Sequence, residues 1–208
     1  MITGRHPDPS PEDEYPDRGL VWVLGKRALD VLLAAAALVA LAIPMGLVAF
    51  AVRRHDGGPA LYRQIRVGRG CRTFRMFKFR SMVIDADRVG GYATATGDAR
   101  ITPIGRFIRR TSLDELPQLL NVLRGDMSIV GPRPDVPAQE HLYAPDEWRL
   151  RHSVRPGITG LAQAVSRSVA TAEARKELDL SYAREASVAL DLKIILMTVR
   201  QLTGKTGN

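Results

Sequence analysis

Residues 31 to 52 read VLLAAAALVALAIPMGLVAFAV, 22 positions without a charge. At about 1.5 Å of rise per residue, such a run is long enough to cross a bilayer as a straight helix. Two features argue against a simple crossing. Lys26 and Arg27 precede the run and Arg53 and Arg54 follow it. Cationic flanks favour the cytoplasmic side, so both ends ask for the same face. Pro44, with Gly46 behind it, stands inside the segment, where a proline removes a backbone donor and bends a helix. A hairpin that enters the membrane and returns satisfies both observations. A kinked transmembrane anchor is the competing reading, and the physics of the segment leaves the two open. A cleavable signal peptide fits poorly: the run exceeds the usual apolar stretch of roughly 7 to 15 residues, and an acidic, proline-rich segment stands where a basic start belongs.

That preceding segment, residues 1 to 19, carries Pro7, Pro9, Pro11 and Pro16 among five acids and two arginines, and reads as a flexible extension. Its net charge is −3, so the +8 of the 208-residue chain leaves +11 on the remainder. Hydrophobic content of 45% with 25% charged residues supports a real core and excludes a disordered tail. The cationic surplus suits nucleic acid, an anionic membrane surface or phosphorylated small molecules, and charge alone does not choose among them. Cys71 is the sole cysteine, so no internal disulfide forms. His6, His55, His141 and His152 lack the close spacing of metal ligands.

Downstream of the apolar run, ALYRQIRVG and CRTFRMFKF flank Gly68-Arg69-Gly70, the signal of a β-hairpin. Period-two alternation puts Phe77 and Phe79 on one face, and Lys78 and Arg80 on the other with Phe74 and Met76. A neighbouring Lys and Arg on a stiff strand suit phosphate oxygens, although a basic edge strand that resists aggregation explains them as well. In RITPIGRFIRR, Ile104, Phe107 and Ile108 form one helical stripe beside Arg106, Arg109 and Arg110, a pattern suited to a helix lying in a lipid interface.

Residues 111 to 120, TSLDELPQLL, set Asp114 and Glu115 side by side. Ser112 and Glu115 have capping-box spacing, and Leu116, Leu119, Leu120 and Leu123 recur on one helical face. Pro117 is tolerated only near a helix start, which places the carboxylates at the helix mouth. Free backbone N–H groups there would keep Asp114 ionised and attract phosphate; complementing the helix dipole is the plainer explanation. Further on, Pro132 and Pro134 frame Arg133 and fix its direction, and Arg155 precedes Pro156 and Gly157 in VRPGITG. The closing segment, AEARKELDLSYAREASVALDLKIILMTVRQL, reads as packing or interfacial helix.

The ordered set KFRSM (78–82), RRTSLDELPQLLNVLRGDMSIVGPRP (109–134) and VRPGITGLAQ (154–163) resembles the bacterial sugar transferase family, the monotopic phosphoglycosyl transferases, over roughly Lys26 to Leu202. The resemblance implies transfer of a phosphosugar from a UDP-sugar to undecaprenyl phosphate, with release of UMP. It implies Asp114 as nucleophile, Glu115 as the carboxylate associated with Mg²⁺, and Arg109 as a phosphate contact. Lys78, Arg80, Arg133 and Arg155 match basic positions of the family motifs. The family's membrane segment is a re-entrant helix broken at a Ser-Pro pair, for which this chain has Ile43-Pro44. Where many members have ITGWAQ and a Gly-Arg-Asn segment, it has ITGLAQ and Ser166-Arg167-Ser168. Larger relatives prepend four transmembrane helices and a soluble module, so a minimal enzyme is expected.

The expected architecture is α+β and predominantly helical: a re-entrant membrane hairpin, a small β-hairpin and interfacial amphipathic helices around a cytoplasm-facing site. Its boundaries are an extension over 1–19, a membrane segment over 20–54, a catalytic region over 55–204 and a tail over 205–208. Expected partners are a UDP-sugar, undecaprenyl phosphate and lipid of the bacterial inner membrane, with a homo-oligomer possible and no nucleic acid. Two other classes compete. One is a membrane-anchored basic protein that binds anionic lipid or nucleic acid; the other is an aspartyl-phosphate hydrolase, for which the D-x-D-x-T pattern of one familiar group is missing.

Overall fold

The computed structural model describes residues 19–86, 90, 97–165 and 171–203. Residues 1–18 of the acidic extension, Ser166-Arg167-Ser168 and the 205–208 tail lie outside them.

The Ala- and Leu-rich start forms helix α1 (Leu20–Ala40), and after Leu41 the chain continues as α2 (Ala42–Asp56), bent by 64°. The break at Leu41 lies three residues before Pro44, the expected point, because of how proline acts. Pro44 lacks the N–H that would bond the Ala40 carbonyl, and its ring crowds that same carbonyl. The backbone therefore leaves the helix at Leu41 (φ −101°, ψ 7°) and restarts with Pro44 in the first turn of α2, where no donor is needed. Among the described residues no single helix is long and apolar enough to cross a membrane; α1 and α2 reach that composition and length only as the bent pair. Their outward side chains, including Val21, Leu32, Val39, Ile43, Leu47 and Phe50, are exposed and apolar.

The pair is bolted to the rest of the chain by buried polar contacts. Lys26 Nζ lies 2.6 Å from Asp191 Oδ2 and donates to the Val130 carbonyl. One turn on, Asp30 Oδ1 accepts from Ser128 Oγ and the Ile129 N–H, both at 2.9 Å. Arg27 donates to the carbonyls of Val122 and Leu123. Burying such groups is costly unless they are paired, so these contacts specify one seat for α1.

Strands β1 (Leu61–Val67) and β2 (Thr73–Phe79) form the expected antiparallel hairpin, with Tyr62 opposite Lys78. Helix α3 (Pro103–Arg110) is capped by Thr102, whose Oγ1 accepts from the Gly105 N–H. Ile104 and Ile108 turn inward to pack with Val48, Val52 and Phe79, so of the expected lipid-facing stripe only Phe107 stays exposed. A 3₁₀ turn (Leu113–Glu115) leads into α4 (Gln118–Arg124), which packs Leu119 and Val122 against Ala34 and Met76. Strands β3 (Ser128–Val130) and β4 (Gly157–Thr159) pair in parallel, with α5 (Pro145–Arg151) between them in sequence. Helices α6 (Leu161–Val165), α7 (Ala172–Glu185) and α8 (Val188–Thr203) complete a core around Val130, Tyr182 and Ile194. Along α8, Val188, Leu192, Leu196 and Val199 form an exposed apolar stripe opposite the buried Asp191 and Ile194. Among the described residues the fold is thus mainly helical with two small sheets.

Candidate active site

The carboxylate pair owes its place to Asn121, which is fully buried on α4. Its Oδ1 accepts from the Phe77 N–H at 2.9 Å and its Nδ2 donates to the Arg75 carbonyl at 2.8 Å, so the side chain acts as one more strand edge beside β2. That holds the start of α4 against the strand that carries Lys78. Between α3 and α4, Ser112 takes the left-handed conformation (φ 58°) and swings the chain into the 3₁₀ turn. The capping box read from Ser112 and Glu115 does not form: Ser112 makes no side-chain cap, and Glu115 points elsewhere.

Glu115 Oε1 accepts from Lys78 Nζ at 3.2 Å and from Arg133 Nη2 at 2.7 Å. Burial alone would raise its pKa, but the charges of Arg133 and Lys78 and their hydrogen bonds overcome that and hold it at about 2. Burial, and then Arg133, lower the pKa of Lys78 despite its carboxylate neighbours. Asp114 differs. Among the described residues its carboxylate makes no hydrogen bond or ion pair, and burial together with the Glu115 charge pushes its pKa up, against the pull of Lys78, Arg109 and Arg133. This corrects the expectation that backbone N–H groups at a helix mouth would hold the acid low: α4 begins only after Pro117, beyond the turn that bears Asp114.

Arg109, in the last turn of α3, donates from Nε to Ser81 Oγ at 2.8 Å. Arg133 leaves the Pro-Arg-Pro loop with its backbone carbonyl accepting from Arg151 Nη2 at 2.8 Å. Arg151 is itself buried between Asp135 and Asp179. Lys78, Arg80, Arg109, Asp114, Glu115 and Arg133 line one cleft of about 2080 Å³, whose wall also includes Ala37 and Leu41 at the bend of the helix pair. Two of the basic residues read from sequence are engaged otherwise. Arg80 is clamped on Asp56, and Arg155 lies outside the cleft lining, donating from Nε to the Gly125 carbonyl at the end of α4. Pro44 is exposed on α2, one turn past the bend.

Sequence reasoning missed Asn121, Ser81, Asp56 and Arg151. Only Ser81 carried a signal, as a neighbour of Lys78 and Arg80 in KFRSM; the others act through partners far off in the chain.

The family model for bacterial sugar transferases matches residues 21–205. This chain belongs to the bacterial sugar transferase family. It is 44% identical over 182 residues to the UDP-glucose:undecaprenyl-phosphate glucose-1-phosphate transferase of Escherichia coli (strain K12), covering 84% of this chain and 39% of that protein. It is 45% identical over 191 residues to the undecaprenyl-phosphate glucose phosphotransferase of Komagataeibacter xylinus, covering 86% and 36%. To a Caulobacter vibrioides protein with the same name as the E. coli one it is 44% identical over 187 residues, covering 86% and 70%. This sugar transferase chain thus spans about two-fifths of the length of the first two relatives.

The acids of this family member suit a divalent cation of the oxygen-loving kind. Among the described residues no three His, Cys, Asp or Glu side chains cluster as a metal cage. Mg²⁺ does not need one, since one or two carboxylates plus substrate phosphates and waters complete its shell. Both cations that pair with Glu115 do so through Oε1, and its low pKa keeps it ionised, so Oε2 remains a competent ligand atom beside Asp114.

Proposed function

We propose that this chain moves a sugar 1-phosphate from a UDP-sugar to undecaprenyl phosphate, in two steps through a covalent intermediate on Asp114. The observation that carries the reading is the division between adjacent acids: Glu115 is fixed by Lys78 and Arg133, while the Asp114 carboxylate in the same cleft is unbonded among the described residues. A carboxylate is a competent nucleophile at phosphorus when nearby cations neutralise the diphosphate.

In the first step an Asp114 oxygen forms a bond to the sugar-linked phosphorus, the bond from that phosphorus to the bridging oxygen breaks, and UMP leaves with that oxygen. Lys78, Arg109 and Arg133 orient the diphosphate and offset the charge that gathers on it. In the second step a phosphate oxygen of the lipid attacks the same phosphorus, and the acyl-phosphate bond breaks to restore the Asp114 carboxylate. The two anionic substrates need not share the site, which limits repulsion. Glu115 would hold Mg²⁺, which when bound supplies further neutralisation of phosphate charge. The α1–α2 pair is the re-entrant element, with both ends and the cleft on the cytoplasmic side of the inner membrane; the bend, the basic flanks and the exposed apolar faces support this.

The names of the E. coli and C. vibrioides relatives put UDP-glucose first among donors. Purified protein with Mg²⁺, undecaprenyl phosphate and a panel of UDP-sugars should release UMP and form a lipid diphosphate-sugar. Release of inorganic phosphate or sugar phosphate without lipid product would make the protein a hydrolase, and retention of anionic lipid with no turnover would make it a binding protein.

A further inference from the structure

Arg80 lines the cleft of the carboxylate pair, yet its guanidinium is committed inside the fold and the residue is only 8% exposed. Nη1 and Nη2 grip the two carboxylate oxygens of Asp56, with Nη2 at 2.5 Å from Oδ1. Nε donates to the Pro59 carbonyl at 2.8 Å, and Nη1 also reaches the Met82 carbonyl at 3.4 Å. Four of the five guanidinium donors are thereby engaged, which leaves little for a phosphate. Asp56 is the last residue of α2, the end of the bent pair. Gly58 keeps this contact open, since a Cβ there would lie 2.9 Å from Arg80 Nη2.

The residue after Arg80 leads to the site. Ser81 is buried, its Oγ accepts from Arg109 Nε at 2.8 Å, and its carbonyl accepts from the Thr102 N–H at 3.1 Å. Gly105 packs α3 directly on that carbonyl, where an added Cβ would stand 1.9 Å from the oxygen. Among the described residues, Ser81 is the side chain that Arg109 bonds, and the Arg109 charge acts on Asp114. We infer that Asp56 and Arg80 are positioning residues: they fix Ser81, and through it Arg109, so that the end of the bent helix pair sets the geometry of the phosphate-handling site. The inference rests on the reading of that site as a phosphoglycosyl transferase. It moves Arg80 from phosphate contact, the reading suggested by its place beside Lys78, to a brace.

The test is a set of double-mutant cycles. Asp56→Asn, Arg80→Lys and Ser81→Ala are made alone and with Arg109→Lys, and UMP formation is followed against UDP-sugar concentration. Arg80→Lys keeps the charge but loses the two-pronged geometry. If the brace acts through Arg109, each substitution lowers kcat/KM by about 10-fold alone and by less than about 2-fold once Arg109 is replaced. Effects that multiply with that of Arg109→Lys overturn the inference, as does a silent Asp56→Asn beside an Arg80→Lys variant whose KM alone rises. Ser81→Ala removes one hydroxyl and decides the matter if the charged variants fold poorly. Phenylglyoxal modification of Arg109, read by peptide mass spectrometry, gives an answer without turnover: it accelerates several-fold in Asp56→Asn and Ser81→Ala, and an unchanged rate overturns the inference. A wild-type protein that makes no UMP would count against the transferase reading, while the labelling still tests the brace.

Discussion

Asp114 and Glu115 share a peptide bond and the charges of Lys78 and Arg133, and differ in whether they bond them. Glu115 faces Lys78 and Arg133 and stays charged; Asp114 has no bonded partner among the described residues and is destabilised as an anion by burial and by Glu115. Environment rather than residue type thus separates a fixed acid from a free one. The two proline-framed arginines divide in the same way. Arg133 is half exposed and bonds Glu115, so Arg133→Ala should lower kcat/KM by roughly 100-fold with little change in melting temperature. Arg155 bonds the Gly125 carbonyl behind α4, so Arg155→Ala should cost about 1 kcal/mol in denaturant unfolding and leave kcat/KM nearly unchanged. A collapse of kcat/KM in the Arg155 variant would return that residue to the substrate. In sequence the two looked alike, because a Pro-flanked arginine declares that its direction is fixed and not what it points at.

Among the elements, the bent pair is the one whose shape follows from a single residue. Pro44 was legible as a break, and its position was not: a proline disrupts the hydrogen bond to the fourth residue back, so the bend falls at Leu41. The β-hairpin was legible from Gly68 to Gly70 and its flanking alternation, while β3 and β4, three residues each and joined across α5, left no periodic trace. The stripe of α3 was read correctly as apolar but not as facing α2, since periodicity names a face and not its neighbour. Pro44→Ala should restore the bond to Ala40, straighten the pair and push it towards spanning, with loss of activity. In a protein whose exposed Cys71 is first replaced, single cysteines before Lys26 and after Arg54 report this through a periplasmic thiol reagent. Both should be shielded in the parent, and the N-terminal one should be labelled in the Pro44→Ala variant.

At the scale of the whole molecule, buried ionic groups join segments that sequence keeps apart: Lys26 with Asp191, Asp30 with Ser128, Arg151 with Asp135 and Asp179. None was legible, because a charge in sequence gives no sign of a partner 16 to 165 residues away. Beside the last group lies His152, packed on Trp148 with ring centres 4.0 Å apart. Burial, and then the Arg151 charge, lower its pKa to about 4 although the Trp148 carbonyl bonds Nδ1; Asp135 Oδ2 is 3.9 Å from Nε2. The unfolded chain, with histidine near 6.5, binds the extra proton between these values. The stabilisation is therefore complete above about pH 6.5 and lost as pH falls towards 4. Between pH 7 and pH 4 the parent should lose on the order of 2–3 kcal/mol more stability than His152→Phe, measured by denaturant unfolding. All these contacts serve to present the Asp114 carboxylate in a basic cleft beside the helix bend. The direct measurement is mass spectrometry of the protein mixed with Mg²⁺ and a UDP-sugar it turns over, without lipid. A phosphosugar adduct on the peptide that contains Asp114, absent in Asp114→Asn and discharged by undecaprenyl phosphate, is the predicted result; no adduct, together with initial rates that require both substrates bound at once, would contradict it.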